Sequence, residues 1–366
     1  MTKRSLPNMK DVAERALVSL ATVDRVLHGR PGVRNPTVAR VMAAATELGY
    51  VFEATEEGGQ QAELLNILFL LPDSQNPLLH MLRDVVGYSQ EHWAPFRVHC
   101  HVETFESLNP DALAKALLRN GKRYDGIAFF GLEHPLVREA VNLLADDGVP
   151  VVTVMSNITQ SASVAYVGMD SHSSGRTAAY LLTRFMGGRA HQHGAKVVII
   201  AGSLSYRAHV ERETGFLQLL QEKYKNIQVV GLREGQEESE PNYRHMCALL
   251  EQHPDLAGVY LIGGGAKGVA KALKEKNLDQ KVVFVGHGLT PDTRALLIDG
   301  SMDASLYQTP HNLISNCVRI FANLRDGRQA AHREGLEVAP VGAGLAARGG
   351  QVARHELLLG GGASAH

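Results

Sequence analysis

Several polar or aromatic residues stand directly after short apolar runs, or end them, where a parallel sheet would bring them together. These residues are Asp73, Asn76, Phe130, Asn157, Gly264 and His287. In open α/β sheets, ligands bind outside the carboxyl ends of the strands. We therefore expect these residues to contact a small molecule, with Phe130 suited to stack on a sugar ring. The glycine turn at Gly264 would let backbone N–H groups approach the ligand.

A second group of residues lies near the N terminus, on a short helical pattern that Ser19 can cap. Ala21, Arg25 and His28 recur at i, i+4 and i+7, so they share a helix face and can reach base edges in a major groove. Ser19 and Thr22 are placed to contact phosphate. The first fifty residues carry eight Lys and Arg against four acids, a charge of +4, which leaves −5 for the rest of a chain of net charge −1. A basic unit on an acidic body suits a polyanionic partner, although the pattern fits a small solvated helical bundle equally well.

The elements that would position the second group are three short amphipathic helices. The first is capped by Asn8, and the second is capped by Ser19 and ends just before Gly29. The third begins at Asn35-Pro36 and ends at Gly49. Cap residues, first-turn proline and terminal glycines agree with the apolar spacing. We predict a helical domain over 1–51, followed by a linker over 52–63 whose glutamates and glycines are typical of connecting segments.

The remainder, 64–327, alternates apolar runs with amphipathic helical stretches, which predicts parallel sheets covered by helices. Strands are expected at 64–71, 97–102, 126–130, 149–154, 164–167, 196–201, 227–232, 258–262 and 281–285, with a helix over 173–186 between the two series. Two similar α/β halves facing each other would form a cleft. The C-terminal segment 328–366 has no motif that we can interpret, and its end is expected to be disordered.

Residues of the helical domain resemble those of a known family. Met9–Glu14, Val18–Leu27, Val33-Arg34 and Ala44–Tyr50 together look like the DNA-binding domain of LacI-family, lactose-repressor-like, transcriptional regulators. The resemblance implies a helix-turn-helix whose recognition helix spans Ser19 to His28. It further implies that Leu20, Ala21 and Arg25 read bases, and that Ser19, Thr22, Arg34 and Thr37 contact phosphates.

Three positions depart from that family pattern. Leu17 replaces a turn glycine, so either the turn avoids positive φ or it is strained. Asp24 replaces a serine and places a carboxylate near phosphate, which is repulsive unless a neighbour such as Arg25 pairs with it. The segment 52–59 lacks the proline and small residues of the family's hinge helix, which makes minor-groove insertion doubtful.

The body of the chain resembles the periplasmic-sugar-binding-protein fold that the same family uses to bind its effector. The resemblance rests on 164–170, on Gly175-Arg176, and on the arginine three residues before Gly215. It implies effector contacts by Asp170, Arg212 and Gln308. Such a set holds hydroxyl groups of a sugar or polyol. His287 stands where these domains often have an acid, so either it takes over the bonding or the effector lacks the corresponding hydroxyl.

Other chemistry has weaker support in the sequence. Gly263 to Gly268 matches the dinucleotide pattern G-x-G-x-x-G, but no acid for a ribose follows the next strand. His99 with His101, and His191 with His193, have ligand-like spacing without a third ligand, so we expect no metal and no cofactor. The isolated cysteines Cys100, Cys247 and Cys317, and the lack of a signal peptide or a membrane-length apolar run, favour the reducing cytoplasm.

The sequence thus predicts a homodimeric regulator, a repressor by analogy, that binds a double-stranded DNA operator and a small sugar or polyol. Its fold class is an all-α helix-turn-helix head joined to a two-lobed, periplasmic-binding-protein-like α/β body. A transporter's solute-binding protein is the main alternative, because it uses the same cleft fold. A two-lobed α/β enzyme is the second.

Overall fold

The computed structural model describes residues 8–27, 33, 37, 40–41, 44–45, 63–88, 93, 96–328 and 339–342. They divide into two compact units, one containing the N-terminal helices and the other containing two β-sheets. Predicted residues His28 and Arg34, the third helix's cap at Asn35-Pro36, and the linker apart from Glu63 lie outside the described residues.

The N-terminal unit begins with α1 (Met9–Ala16), which starts at the predicted cap. The Asn8 side chain accepts hydrogen bonds from the amides of Lys10 and Asp11, and Asp11 accepts the amide of Asn8 in return, at 2.7 Å. This reciprocal pairing satisfies N–H groups that the first helical turn leaves open. The helix α2 (Leu20–Leu27) follows Ser19, whose hydroxyl accepts the Thr22 amide at 3.2 Å.

Small apolar side chains hold the N-terminal helices together. The buried cluster consists of Val12, Ala13, Ala16, Val23, Val41, Ala44 and Ala45. The described residues between 37 and 45 are helical, in agreement with the predicted third helix. Because alanine dominates the cluster, the helices can approach closely around a core of modest apolar area.

Leu17, which ends α1, settles one of the alternatives that the sequence left open. Its backbone is left-handed, with φ 53° and ψ 49°, and its amide donates to the carbonyls of Ala13 and Glu14. The side chain is 86% exposed, so packing does not compensate for the strained backbone. A non-glycine residue in this region costs about 1–2 kcal/mol, and the turn is therefore strained.

Leu17→Gly should stabilise the N-terminal unit by about 1 kcal/mol, because glycine adopts positive φ without a Cβ clash. Leu17→Ala is the matched control, since it removes the exposed side chain and keeps the Cβ. Hydrogen exchange of the α1 and α2 amides measures the effect. Equal protection in the two variants would contradict a backbone origin.

In the larger unit, the first lobe contains a five-stranded sheet of order β2-β1-β3-β4-β5. Its strands are β1 (Leu65–Asp73), β2 (Val98–Glu106), β3 (Gly126–Phe130), β4 (Val151–Val154) and β5 (Ala165–Val167). Its helices are α3 (Pro77–Tyr88), α4 (Pro110–Asn120) and α5 (Pro135–Asp146). The pairs β1–β3, β3–β4 and β4–β5 are parallel. Strands β3 and β4 are buried along their whole length, as expected for a sheet covered on both faces.

The second lobe contains a six-stranded sheet of order β11-β10-β9-β8-β6-β7. Its elements in chain order are α6 (Ser171–Met186), a 3₁₀ turn (Gly187–His191), β6 (Lys196–Ala201), α7 (Arg207–Lys223), β7 (Gln228–Glu234), α8 (Ser239–Gln252), β8 (Leu256–Ile262), α9 (Ala266–Glu275), β9 (Val283–His287), α10 (Pro291–Ile298) and β10 (Ala304–Tyr307), and finally β11 (Ala339–Gly342). Two apolar clusters cover the sheet's faces. The predicted fold class and each predicted strand are confirmed.

The edge strand β11 was not predicted. It pairs with β10 in the antiparallel direction and contains Pro340. A proline cannot donate to a ladder, so it is tolerated at a sheet edge and lowers the strand signal in the sequence. The tail therefore contributes a strand to the second lobe.

The chain passes repeatedly between the lobes. It leaves the first lobe between β5 and α6, and it returns after β10 because α11 (Pro310–Arg325) packs against α3 and β5. The Phe321 ring of α11 lies against Gly126 at the start of β3. Since β11 pairs with β10, a third crossing lies between Arg325 and Ala339. The lobes are thus joined by three connections rather than one.

Helices α6 and α7 of the second lobe pack closely through two glycines. A Cβ on Gly175 would collide with the carbonyl oxygen of Arg212, and one on Gly215 would collide with that of His172. Only glycine allows two helix backbones to approach this closely. The contact fixes the backbone that carries the Arg212 side chain.

Candidate functional site

A cavity of about 60 Å³ lies in the cleft between the two lobes. The first lobe lines it largely with apolar groups, and the second lobe supplies most polar ones. Among the lining residues are Ser74, Asn76, Phe130, Met155 and Met169 of the first lobe, and Tyr206, His209, Arg212, Glu237, Gly264, His287, Asp292 and Gln308 of the second lobe and the crossing after it. This volume holds only a few water molecules, so the lobes are close together in this structure.

Arg212 is the buried cation of the cavity. It lies on α7 and is 5% exposed. Its Nε is buried without a hydrogen-bond partner, and no carboxylate of the described residues lies within ion-pair distance of its guanidinium. A buried guanidinium needs acceptors, so this side chain is prepared to bind a ligand.

Glu237, which the sequence did not single out, joins the two lobes. Its Oε2 accepts hydrogen bonds from Nδ2 of Asn76, in the first lobe, and from the amide of Gly264, each at 2.6 Å. Burial raises the pKa of Glu237, while these two bonds and Arg212 act in the opposite direction. Gln236 and Glu237 both have positive φ, 53° and 67°. Such backbone strain persists where the surrounding structure requires it, and it clusters at binding sites.

Two buried histidines flank the same cavity. Nδ1 of His209 lies within hydrogen-bonding distance of the carbonyl oxygen of Ser203, at 2.9 Å. Its Nε2 lies 3.6 Å from Oε1 of Glu237. Nε2 of His287 lies 2.7 Å from the Tyr260 hydroxyl, and its Nδ1 is buried without a partner. Burial, and to a smaller extent Arg212, lowers the pKa of His209 to about 3 and that of His287 well below its usual value. Both rings are therefore neutral at pH 7 and can donate or accept one hydrogen bond.

Acidification should weaken the larger unit. The unfolded chain protonates His209 near its usual pKa of 6.5, whereas the folded protein keeps the ring neutral down to about pH 3. The stability that this difference provides is complete above about pH 6.5 and is lost as the pH falls. His287 acts in the same direction, whereas the raised pKa of Glu237 opposes it, since that contribution is lost as the pH rises.

We expect a lower free energy of unfolding at about pH 5 than at about pH 7 in denaturant titrations, because His209 and His287 take up protons on unfolding in this pH range. His209→Asn should reduce the difference, because the amide can replace the bond to Ser203 without titrating. A pH response unchanged in this variant would mean that His209 does not cause it.

The structure brings most of the predicted effector residues together. Asn76, Phe130, Arg212, Gly264, His287 and Gln308 all line the cavity. The Gln308 side chain is 6% exposed, and both its polar atoms lack partners. The rings of Phe130 and Tyr206 form a T-shaped pair with their centroids 4.8 Å apart, so part of the Phe130 ring is already used in packing.

Asp73, Asn157 and Asp170 do not line the cavity, contrary to the sequence-based expectation. Asp73 is exposed at the end of β1. Asp170 caps α6, accepting the amide and hydroxyl of Ser173 at 2.8 and 2.9 Å. Asn157 accepts from the Thr153 hydroxyl and the Ile158 amide. Local hydrogen bonds thus occupy the last two side chains.

The cavity also includes Tyr206, His209 and Glu237, which sequence reasoning missed. Tyr206 and His209 lie at the start of α7, where they resemble ordinary apolar and polar helix residues. Glu237 belongs to the acidic run 234–240, whose composition is typical of a solvated loop. Glu237 is buried whereas Gln236 and Glu238 on either side of it are exposed, and this difference depends on tertiary structure alone.

The glycine turn approaches Glu237 rather than an open space. Gly263 and Gly265 have φ of 118° and 81°, and a Cβ on Gly264 would lie 2.8 Å from Oε2 of Glu237. The amide of Gly264, expected to face the ligand, donates to that carboxyl group. The turn thus serves to hold Glu237.

In the N-terminal unit, α2 exposes the residues that the sequence assigned to DNA. Ser19, Leu20, Ala21 and Arg25 are exposed, whereas Thr22 and Thr37 are half-buried. Ala21 and Arg25 lie one turn apart on one face. Leu20, at 42% exposure, is a large apolar side chain without packing to explain it.

Two α/β lobes around a polar cleft define the class of two-lobed small-molecule-binding proteins. Comparison with known proteins agrees. The family description "Periplasmic binding protein domain" matches residues 111–329, which is more than half of the chain. The description "Bacterial regulatory proteins, lacI family" matches residues 8–52. The chain therefore belongs to the periplasmic-binding-protein-domain family, and its N-terminal residues 8–52 form a lacI-family domain.

Individual relatives share parts of the chain. It is 40% identical over 79 residues to the HTH-type transcriptional regulator MalR of Streptomyces coelicolor, covering 22% of each chain. It is 25% identical over 248 residues to the transcriptional repressor PurR of Serratia proteamaculans, covering 68% of this chain and 69% of that one. The chain spans between 22% and 60% of the length of the first three curated relatives that it matches.

Among solved structures, GanP of Geobacillus stearothermophilus, a glucose-galactose binding protein, superposes with a TM-score of 0.69 at 23% identity. The superposition covers 77% of this chain and 98% of GanP. Within the described part of the chain, no helix has the length and apolar character that crossing a bilayer demands.

Proposed function

We propose that the protein is a sequence-specific DNA-binding transcriptional regulator, a repressor, whose affinity for its operator changes when a small polar molecule binds in the cleft. The observation that carries the proposal is the cleft itself. Buried polar atoms of Arg212, His287 and Gln308 that lack hydrogen-bond partners line one cavity. The same chain also carries a lacI-family DNA-binding domain. Unpartnered buried polar groups are costly, so a site of this kind is kept for a ligand.

On the DNA side, Arg25 is the main base reader. Its guanidinium can donate two hydrogen bonds to a guanine edge in the major groove, while Ala21 one turn earlier can contact a thymine methyl group. Ser19 and Thr22 lie at the N-terminal end of α2, where hydroxyls and the helix amides favour phosphate. A homodimer would present two such helices to the half-sites of a near-palindromic operator.

On the effector side, regulation by a small molecule requires at least two states of the cleft. The hydrogen bond between Asn76 and Glu237 stabilises the state in which the lobes are close together. An effector changes operator affinity only if it binds the two states differently, and a difference of a few kcal/mol is sufficient. The printed names of three similar proteins support a regulator with a ligand-binding cleft, since MalR is a regulator, PurR is a repressor and GanP binds sugars.

The test is the binding of the full chain to a random duplex pool, followed by affinity measurement on the selected sequence at several salt concentrations. We expect one enriched, near-palindromic motif and a logarithm of the binding constant that falls linearly with the logarithm of the salt concentration. A protein that enriches no sequence and shows no salt-dependent attraction to DNA would refute the function. A solute-binding role for a transporter would then be the better explanation.

A further inference from the structure

The Tyr260 hydroxyl and the His287 ring form a buried pair on the second-lobe side of the cavity. The hydroxyl oxygen lies 2.7 Å from Nε2 of His287. Tyr260 is fully buried, and its ring stacks on Phe216 with the centroids 4.6 Å apart. His287 lines the cavity, and its Nδ1 is buried without a hydrogen-bond partner. One ring nitrogen is thus occupied inside the lobe, and the other remains for a ligand.

The pair shares two protons at neutral pH. Burial, and to a smaller extent Arg212 and His209, lowers the pKa of His287, so the ring is neutral and carries a single N–H group. Burial raises the pKa of Tyr260, so the phenol keeps its proton. Only the position of the ring proton, on Nδ1 or on Nε2, is left to decide.

The surroundings of the Tyr260 hydroxyl decide it. Among the described residues, the ring of His287 is the one hydrogen-bond partner of this hydroxyl. With the ring proton on Nε2, the ring would donate to the hydroxyl oxygen, and the phenol proton would be buried without an acceptor. With the ring proton on Nδ1, the phenol donates to Nε2 and both groups are satisfied. An unsatisfied buried donor shifts such an equilibrium by a factor of about 5 to 150, so the ring proton lies on Nδ1.

We propose that Tyr260 is a positioning residue that fixes His287 as a hydrogen-bond donor toward the ligand. The ligand then presents an oxygen acceptor to Nδ1, such as a hydroxyl, ring or carbonyl oxygen, and not an ammonium or amide N–H group. An ionised acid at this position would accept and could not donate, so His287 reverses the direction of the bond. The inference rests on the proposed function, since it concerns the ligand of the same cleft.

Arg212 extends this donor surface. Its charge acts on both Tyr260 and His287, so its guanidinium lies near the pair, and a guanidinium can only donate. Because Glu237 interacts with the same charge, the acceptor atoms of the ligand can be uncharged. The second lobe therefore directs two donors at the oxygen atoms of a neutral ligand.

The test is nitrogen-15 NMR of the full chain, labelled in its histidine rings, at neutral pH. The two nitrogens of a neutral ring are distinct, and their shifts report which of them carries the proton. The signals that disappear in His287→Gln identify the ring. We expect a neutral ring with its proton on Nδ1. A proton on Nε2, or a ring that is charged at neutral pH, would overturn the inference.

Variants test whether Tyr260 sets the position of the proton. Tyr260→Phe removes only the hydroxyl, and we expect both ring forms to be populated in place of the Nδ1 form alone. Tyr243→Phe is the matched control, because it removes a hydroxyl of the same lobe that bonds to Glu275 at 2.6 Å, and it should leave the His287 signals unchanged. An unchanged ring in folded Tyr260→Phe would refute the role of Tyr260. If that variant does not fold, the wild-type ring decides.

The two proposals fail separately, because the ring is measured without ligand or DNA. Selective DNA binding together with a proton on Nε2 would leave the regulator standing and remove the donor role of His287. A proton on Nδ1 in a chain that binds no DNA would do the reverse.

Discussion

Gly175→Ala should destabilise the larger unit by about 3 kcal/mol, because overpacking a close helix contact forces backbone shifts. The added Cβ would collide with the carbonyl oxygen of Arg212, which is backbone and cannot rotate away. Helices α6 and α7 would have to separate, and α6 covers β8 and β9 of the sheet. Denaturant titration of the larger unit measures the change.

Gly87→Ala is the matched control for this substitution. Gly87 lies in α3 with nothing within 4 Å of the position that a Cβ would take. The same added methyl group should therefore be neutral or stabilise by up to about 1 kcal/mol through helix propensity. If Gly175→Ala were as stable as Gly87→Ala, the two helices would not be in the close contact described. The clash falls on the backbone of Arg212, whose side chain lines the cavity, so the response to ligand should decline as well.

Arg25→Ala should weaken binding to the selected operator by about 10- to 100-fold, which corresponds to the 1–3 kcal/mol of one bidentate base contact. The guanidinium lies exposed on α2, one turn beyond Ala21. Affinity for unrelated DNA should change much less, so discrimination between operator and other duplexes should decline. Fluorescence anisotropy on both duplexes gives the ratio.

Lys10→Ala tests whether charge alone explains that loss. Lys10 is exposed on the first turn of α1 and carries the same charge. Its removal should lower affinity for operator and unrelated DNA by similar factors. Identical effects of Arg25→Ala and Lys10→Ala on the ratio would mean that Arg25 contacts phosphate and does not read a base.

The fold was predictable because local signals and tertiary structure agree. The buried parallel strand β3 is a continuous apolar run, and β4 is apolar apart from Thr153. The caps at Asn8 and Ser19 are satisfied by their own helices. Consistency of local preference with the global fold is typical of natural sequences. The edge strand β11 lacks such a signal, since it is short and contains a proline.

The site was less predictable because one residue type can satisfy two different needs. Asp170 and Glu237 are both carboxylates near a strand end, yet Asp170 caps a helix and Glu237 reaches across the cleft. The first role requires only the next three residues, whereas the second requires Asn76, which is distant in sequence. Spacing along the chain does not distinguish these cases. Arg212 was found through its family position, and the missing hydrogen-bond partner of its Nε is visible only in three dimensions.

The bond from Asn76 to Glu237 has a kinetic consequence. A molecule that enters between the lobes must wait for an interval in which Asn76 and Glu237 separate. Opening of the cleft would then limit ligand binding. The observed binding rate should reach a plateau at high ligand concentration, and this plateau equals the rate of opening. Asn76→Ala would raise that plateau, and mixing experiments in a stopped-flow instrument would reveal it.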